Sequence, residues 1–138
     1  MKKLRRVCEI GLMATVLVAL LAPQVQAVSW KTYKDPEGRF SMEYPANWQK
    51  FEIANVVSFS DPDRGIGCIV TAGYDVGQFG DQRGIVSDSE MTEEGMTIRM
   101  VMICGESCIV VFAFSAPEGE FDSANRDYFN EMIKRVDL

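Results

Sequence analysis

The sequence predicts an α+β domain, an antiparallel β-sheet of about six strands with a C-terminal helix, from three observations. Short segments alternate apolar and polar residues with the two-residue period of a half-buried strand, and proline or glycine turns separate them. Two longer runs, 97–104 and 108–115, are rich in Ile, Val, Met and Phe and flank a short loop. Residues 122–136 then set Tyr128, Phe129, Met132, Ile133 and Val136 on one stripe at helical spacing. A second helix packed on the sheet is left open.

The first strand with a clear pattern is Phe40-Ser41-Met42-Glu43-Tyr44, in which Phe40, Met42 and Tyr44 share one parity. Pro45 removes a ladder donor and holds Tyr44 extended, so the strand stops there. Trp48 follows a short corner and returns a large apolar surface over that strand. Upstream, Asp35-Pro36-Glu37-Gly38 has the residue order of a type I turn and joins a leading segment with Trp30 and Tyr33 to the strand. Downstream, Gln49–Ile53 and Val56–Phe59 are further strands. Asp61-Pro62-Asp63-Arg64-Gly65 turns the chain into Ile66–Ala72, whose Ile66, Cys68, Val70 and Ala72 share a face. This rhythm predicts an antiparallel meander.

Residues 74–95 break it. Several glycines and no sustained apolar period predict a long, partly irregular connection, with one helical turn near Ser89–Glu94. The runs 97–104 and 108–115 predict central strands covered on both faces, joined by a three-residue loop, Gly105-Glu106-Ser107. In the closing helix Asp122 or Ser123 is placed to cap the start, and Lys134 and Arg135 sit where a C-terminus favours cations.

Residues 1–27 have the pattern of a signal peptide: Lys2, Lys3, Arg5 and Arg6, an apolar stretch from Ile10 to Ala22, and small residues at Val25 and Ala27. The stretch is shorter than the ~20 residues that cross a bilayer. Cleavage leaves 28–138 as one domain, exported to the periplasm or the extracellular space, with no stable membrane insertion. Removing the four basic residues and Glu9 from 14 basic and 20 acidic ones leaves 10 against 19, a net charge of −9. Such a surface repels phosphate backbones, so no nucleic acid partner is expected. The chain has no histidine, which excludes Ser-His and Cys-His nucleophiles and histidine metal ligation.

The sharpest chemical feature is the cysteines. Cys104 and Cys108 flank the expected loop and are candidates for a disulfide in an oxidising space; free thiols and redox or metal chemistry are the alternatives. Cys68 shares parity with Ile66 and Val70 and fits a buried small hydrophobe. The acidic residues Asp75, Asp81, Asp88, Glu90, Glu93 and Glu94 form a candidate interaction or cation-binding loop, but lack calcium-loop spacing, so a solvated surface is the plainer reading. Trp30, Tyr33, Tyr44 and Trp48 fit core and rim packing, and Met91, Met96, Met100, Met102 and Met132 core filling.

The stretch Phe40–Trp48, the strand pair before Ala116-Pro117 and the closing Phe129-Asn130-Glu131-Met132-Ile133 resemble the PsbP-like family. That family takes in the extrinsic photosystem II protein PsbP and exported bacterial relatives such as DcrB. The resemblance implies a PsbP-like α/β sandwich, helices packed on an antiparallel sheet, with a binding or assembly role and no shared catalytic residue. The middle of the chain departs from it, since 74–95 gives little sign of a helix and leaves half the helical cover in doubt. The expectation is an exported accessory protein, not an enzyme, with no cofactor or resident metal. It has an unidentified protein partner in the cell envelope, and a photosystem link is open. A thiol-active protein using Cys104 and Cys108, or a small-ligand or cation binder through 74–95, is the alternative.

Overall fold

Pairing divides the strands between two sheets in a computed structural model that describes residues 27–138. The expected signal therefore lies, but for Ala27, outside the described residues. Strands β1 (Trp30–Lys34) and β2 (Ser41–Pro45) form a hairpin of their own. The remaining six are β3 (Gln49–Ile53), β4 (Val56–Ser60), β5 (Gly67–Gly73), β6 (Gly84–Glu93), β7 (Met96–Cys104) and β8 (Ile109–Pro117). They make one antiparallel sheet in the order β3-β4-β5-β8-β7-β6. A single meander is thus not what forms. Two three-stranded meanders meet at β5 and β8, and β2 belongs to neither.

The Asp35 turn closes as its residue types predict, with the Gly38 N–H donating to the Asp35 carbonyl at 2.9 Å. Pro45 ends β2, and Trp48 folds back into the core against Tyr128 and Phe129. The segment 74–95 departs most from expectation. After a 3-10 turn at Gly77–Phe79, it becomes the ten-residue strand β6. Glu94 and Gly95, both left-handed at φ 51° and 77°, give the two-residue hairpin turn that matches strand twist. No apolar alternation marked β6, because it is an edge strand exposed on both faces. The expected helical turn at Ser89–Glu94 is strand, and no second helix covers the sheet among the described residues.

The closing helix runs over 121–134 in three pieces: α1 (Phe121–Ala124), a π-helical stretch (Asn125–Phe129) and α2 (Asn130–Lys134). Neither Asp122 nor Ser123 caps it; the Ser123 hydroxyl, inside the helix, donates to the Glu120 carbonyl at 2.9 Å. Its apolar stripe lies on one face of the six-stranded sheet, beside the β1–β2 hairpin. Phe129 is fully buried, with its ring 4.7 Å from Phe114 and 5.9 Å from Phe121. Over β4 the hairpin supplies Tyr33 and Tyr44, whose rings sit 5.6 Å and 4.4 Å from Phe59. These two pieces cover the inner face, and the described chain has no third layer.

The consequence is a correction to β7 and β8. Their inward residues Val101, Phe112 and Phe114 are fully buried, whereas on the opposite parity only Cys104 and Ile109, at one end of the pair, are buried and the rest are half-buried or exposed. Met132 is core, but Met91 and Met100 are exposed and Met96 and Met102 half-buried, so most of these methionines do not fill the core. Replacing Phe129 with Ala removes the ring on which the helix and sheet meet. It is expected to lower unfolding free energy by about 3–5 kcal/mol in urea denaturation, as a large-to-small change in a close-packed core does.

Candidate functional site

The residues singled out for chemistry are not brought together. All three cysteines of the described chain are buried free thiols. The loop between β7 and β8 holds four residues, so Cys104 stands opposite Ile109. The Cys104 S–H faces the Gly105 carbonyl at 3.7 Å, and that of Cys108 donates to the Arg39 carbonyl at 3.3 Å. Burial pushes the Cys68 thiol far up and raises Cys108. Both directions oppose the thiolate that exchange chemistry needs. Cys68 sits in the core, as its parity predicts.

The acidic set is dispersed. Asp75 and Asp81 lie in the connection, Asp88, Glu90 and Glu93 along β6, and Glu94 in its turn. Among the described residues, no three His, Cys, Asp or Glu converge as a metal site would require. The aromatic quartet packs as expected: Tyr33, Tyr44 and Trp48 are buried, and Trp30 lies under the Arg135 guanidinium at 4.5 Å. Shallow hollows mark the surface, one of about 340 Å³ between Ser29, Asn47 and Tyr128.

Two half-buried arginines, with side chains largely enclosed, carry no signal in the sequence pattern. Arg39 forms a two-pronged pair with Asp35 at 2.7 and 2.8 Å, and also reaches the Ala72 carbonyl at 3.3 Å, tying the β1–β2 turn to the end of β5. Arg99 of β7 grips Asp88 of β6 at 2.8 and 2.6 Å. It also donates to Asn125 Oδ1 at 2.6 Å and Asn130 Oδ1 at 2.7 Å. In an α-helix, residues five apart are about 140° out of line, whereas a π turn brings them over one another. The π stretch thus lets both asparagines meet one guanidinium. These clusters tie the hairpin turn, the helix and strands β5, β6 and β7 to one another.

What remains unmatched is the outer face of the sheet. The register lays out a central row, Phe51–Ser58–Ile69–Ala113–Met100–Ser89, across all six strands. On one side lies Ile53–Val56–Thr71–Val111–Met102–Ser87, and on the other Gln49–Ser60–Gly67–Ser115–Ile98–Met91. None of these residues is charged, although the domain carries −9. Phe51 is 66% exposed, Ile69 52% and Met100 44%. A contiguous exposed apolar patch of this kind marks an interaction surface more often than a free one. The alternation in Gln49–Ile53 was a correct strand signal, but its apolar parity faces outward.

Comparison with solved structures places this architecture. The solution structure of cyanobacterial PsbP from Synechocystis sp. PCC 6803 superposes with a TM-score of 0.52 at 16% identity, over 85% of this chain and 96% of that one. The chain has a PsbP-like fold. A crystal structure from Bacteroides thetaiotaomicron matches with a TM-score of 0.59 at 20% identity, over 83% of this chain; the chain spans about half, 49%, of that one. No protein-family model and no curated protein sequence matches the chain. Within the PsbP-like fold of this chain, no helix of the described residues is long and apolar enough to cross a membrane.

Two expectations follow for the polar clusters and thiols. The Asp35 and Asp88 carboxyls are held below the ordinary 3.8 by hydrogen bonds from Arg39 and Arg99. A depressed folded-state value contributes stability above the unfolded one and loses it as pH falls, so unfolding free energy should drop below about pH 4. Asp88→Asn should flatten part of that drop and cost about 0.5–1 kcal/mol at neutral pH, since the Asp88 carboxylate is partly open to solvent, measured by urea denaturation across pH. With a disulfide-exchange dye at pH 8, the folded protein should react far more slowly than the urea-unfolded one. Fast native labelling of Cys108 would restore the thiol-active alternative.

Proposed function

We propose that this chain is an exported, non-enzymatic accessory domain that binds a protein in the cell envelope, using the outer face of its sheet as the docking surface. The observation that carries the reading is the three uncharged rows at the centre of that face, with exposed Phe51, Ile69 and Met100 standing on them in a strongly acidic domain. Burial of such side chains is worth about 25 cal/mol per Å² removed from water, so leaving them bare is costly unless something covers them. The absence of histidine, the raised thiols and the dispersed carboxylates all favour binding over catalysis. The amino-terminal pattern of 1–27 supports export, with the mature chain beginning at Val28.

Photo-crosslinking tests it. A benzophenone amino acid at Ile69, on the outer face, should yield a specific protein adduct in the envelope fraction. The same group at Lys31, exposed on the β1–β2 hairpin, should not. Amino-terminal sequencing of the exported form should begin at Val28. Absence of any adduct from position 69 would contradict the docking role.

A further inference from the structure

We infer that the occupant of the outer face is a second copy of this chain, two sheets packing face to face about a two-fold axis parallel to the strands. The inference rests on the reading of that face as a docking surface and names its partner. The central row alternates large and small side chains: Phe51, Ile69 and Met100 stand on β3, β5 and β7, with Ser58, Ala113 and Ser89 between or beside them on β4, β8 and β6.

A two-fold axis between β5 and β8 reverses the strand order of the partner without shifting the row. Position one then meets position six, two meets five, and three meets four. Ile69 of each copy falls on Ala113 of the other, Met100 on Ser58, and Phe51 on Ser89. In this central row every knob meets a hole; in the flanking rows Val56 falls on Met102, Thr71 on Val111 and Gln49 on Met91. An axis across the strands would instead set Phe51 on Phe51 and Ser58 on Ser58. The alternation is therefore self-complementary in one arrangement, as an isologous interface requires.

Charge points the same way. Two copies at −9 repel through most of their surface. The rows named above are free of charge, so close approach there leaves no carboxylate stripped of water or facing its like. Area suffices as well. Six strands about 4.8 Å apart, with three outward residues each about 6.7 Å apart, make a face of order 25 by 17 Å before side chains are added. Two such faces bury roughly 850 Å² as flat areas, the size of a weak interface, and side-chain relief with the greater length of β6, β7 and β8 adds to it. Aligned sheet packing, with its rotation of about 30°, holds the match best at the centre, on Ile69 and Ala113.

Sedimentation equilibrium on residues 28–138, which contain every element and core residue of the fold, is the test. The wild type should be a dimer at tens of micromolar. Ile69→Lys should weaken association at least tenfold while keeping the wild-type melting temperature, since that side chain is half exposed and outside the core. A second variant checks the register. Ser58→Cys with Met100→Cys in one chain places two thiols three strand spacings apart, about 14 Å. A bis-maleimide reaching less than 8 Å should therefore join them between copies and give a covalent dimer. A dimer that survives Ile69→Lys, or a double variant that yields none, would overturn the inference. So would a monomer at all concentrations; if Ile69 then crosslinks to a different envelope protein, the docking surface stands and only its occupant changes.

Discussion

Everything in this fold depends on Phe129 sitting between Phe114 of the sheet and Phe121 of its own helix. It joins the one helix the described chain provides to the one sheet that helix can cover. Burial of each large side chain on the inner face contributes about 1.5–3 kcal/mol over exposure, and Phe59, Phe112, Phe114, Phe129 and Met132 are all fully enclosed. A sheet has two faces, however, and a single helix with a hairpin beside it covers only one. The bare outer face is the geometric remainder of that packing.

The inner layer is held in place by charge as well as by rings. Arg39 anchors the hairpin turn to the sheet at one end, and Arg99 anchors the π stretch of the helix to β6 and β7 at the other. Both guanidiniums are almost fully enclosed and paired with carboxylates, an arrangement whose worth lies in orientation more than in net energy. The π stretch follows from the same requirement, since Asn125 and Asn130 reach one arginine only if the helix widens there. Their local strictness contrasts with the outer face, which has hydroxyls and apolar groups but no buried charge to fix a small ligand.

How much of this was legible in the sequence depended on burial. Strands with one buried parity, such as Ser41–Pro45 and Gly67–Gly73, announced themselves, as did the stripe ending in Met132 and Val136. Strand β6 did not, because an edge strand exposed on both sides has no reason to alternate, and its glycines and carboxylates imitate a loop. The turn at Glu94-Gly95 was the available clue. Apolar residues on both parities of β7 and β8 were read as cover on both faces, when the pattern meant only that both faces are apolar. Parity names the greasy side of Gln49–Ile53 but cannot tell whether that side points to a core or to a partner. The roles of Arg39 and Arg99 are invisible to periodicity, since their partners lie far away in sequence.

The two faces of the sheet are thus unlike, one enclosed by the helix and hairpin and the other bare among the described residues. Methionines report on both faces at once: Met42 and Met132 are enclosed in the core, while Met91 and Met100 stand on the outer rows. Peroxide footprinting of dilute protein by mass spectrometry measures this directly. Met91 and Met100 should oxidise rapidly, with Met42 and Met132 protected until the protein unfolds. Oxidation of Met132 as fast as Met100, or protection of Met100 in the dilute monomer, would contradict this difference between the faces.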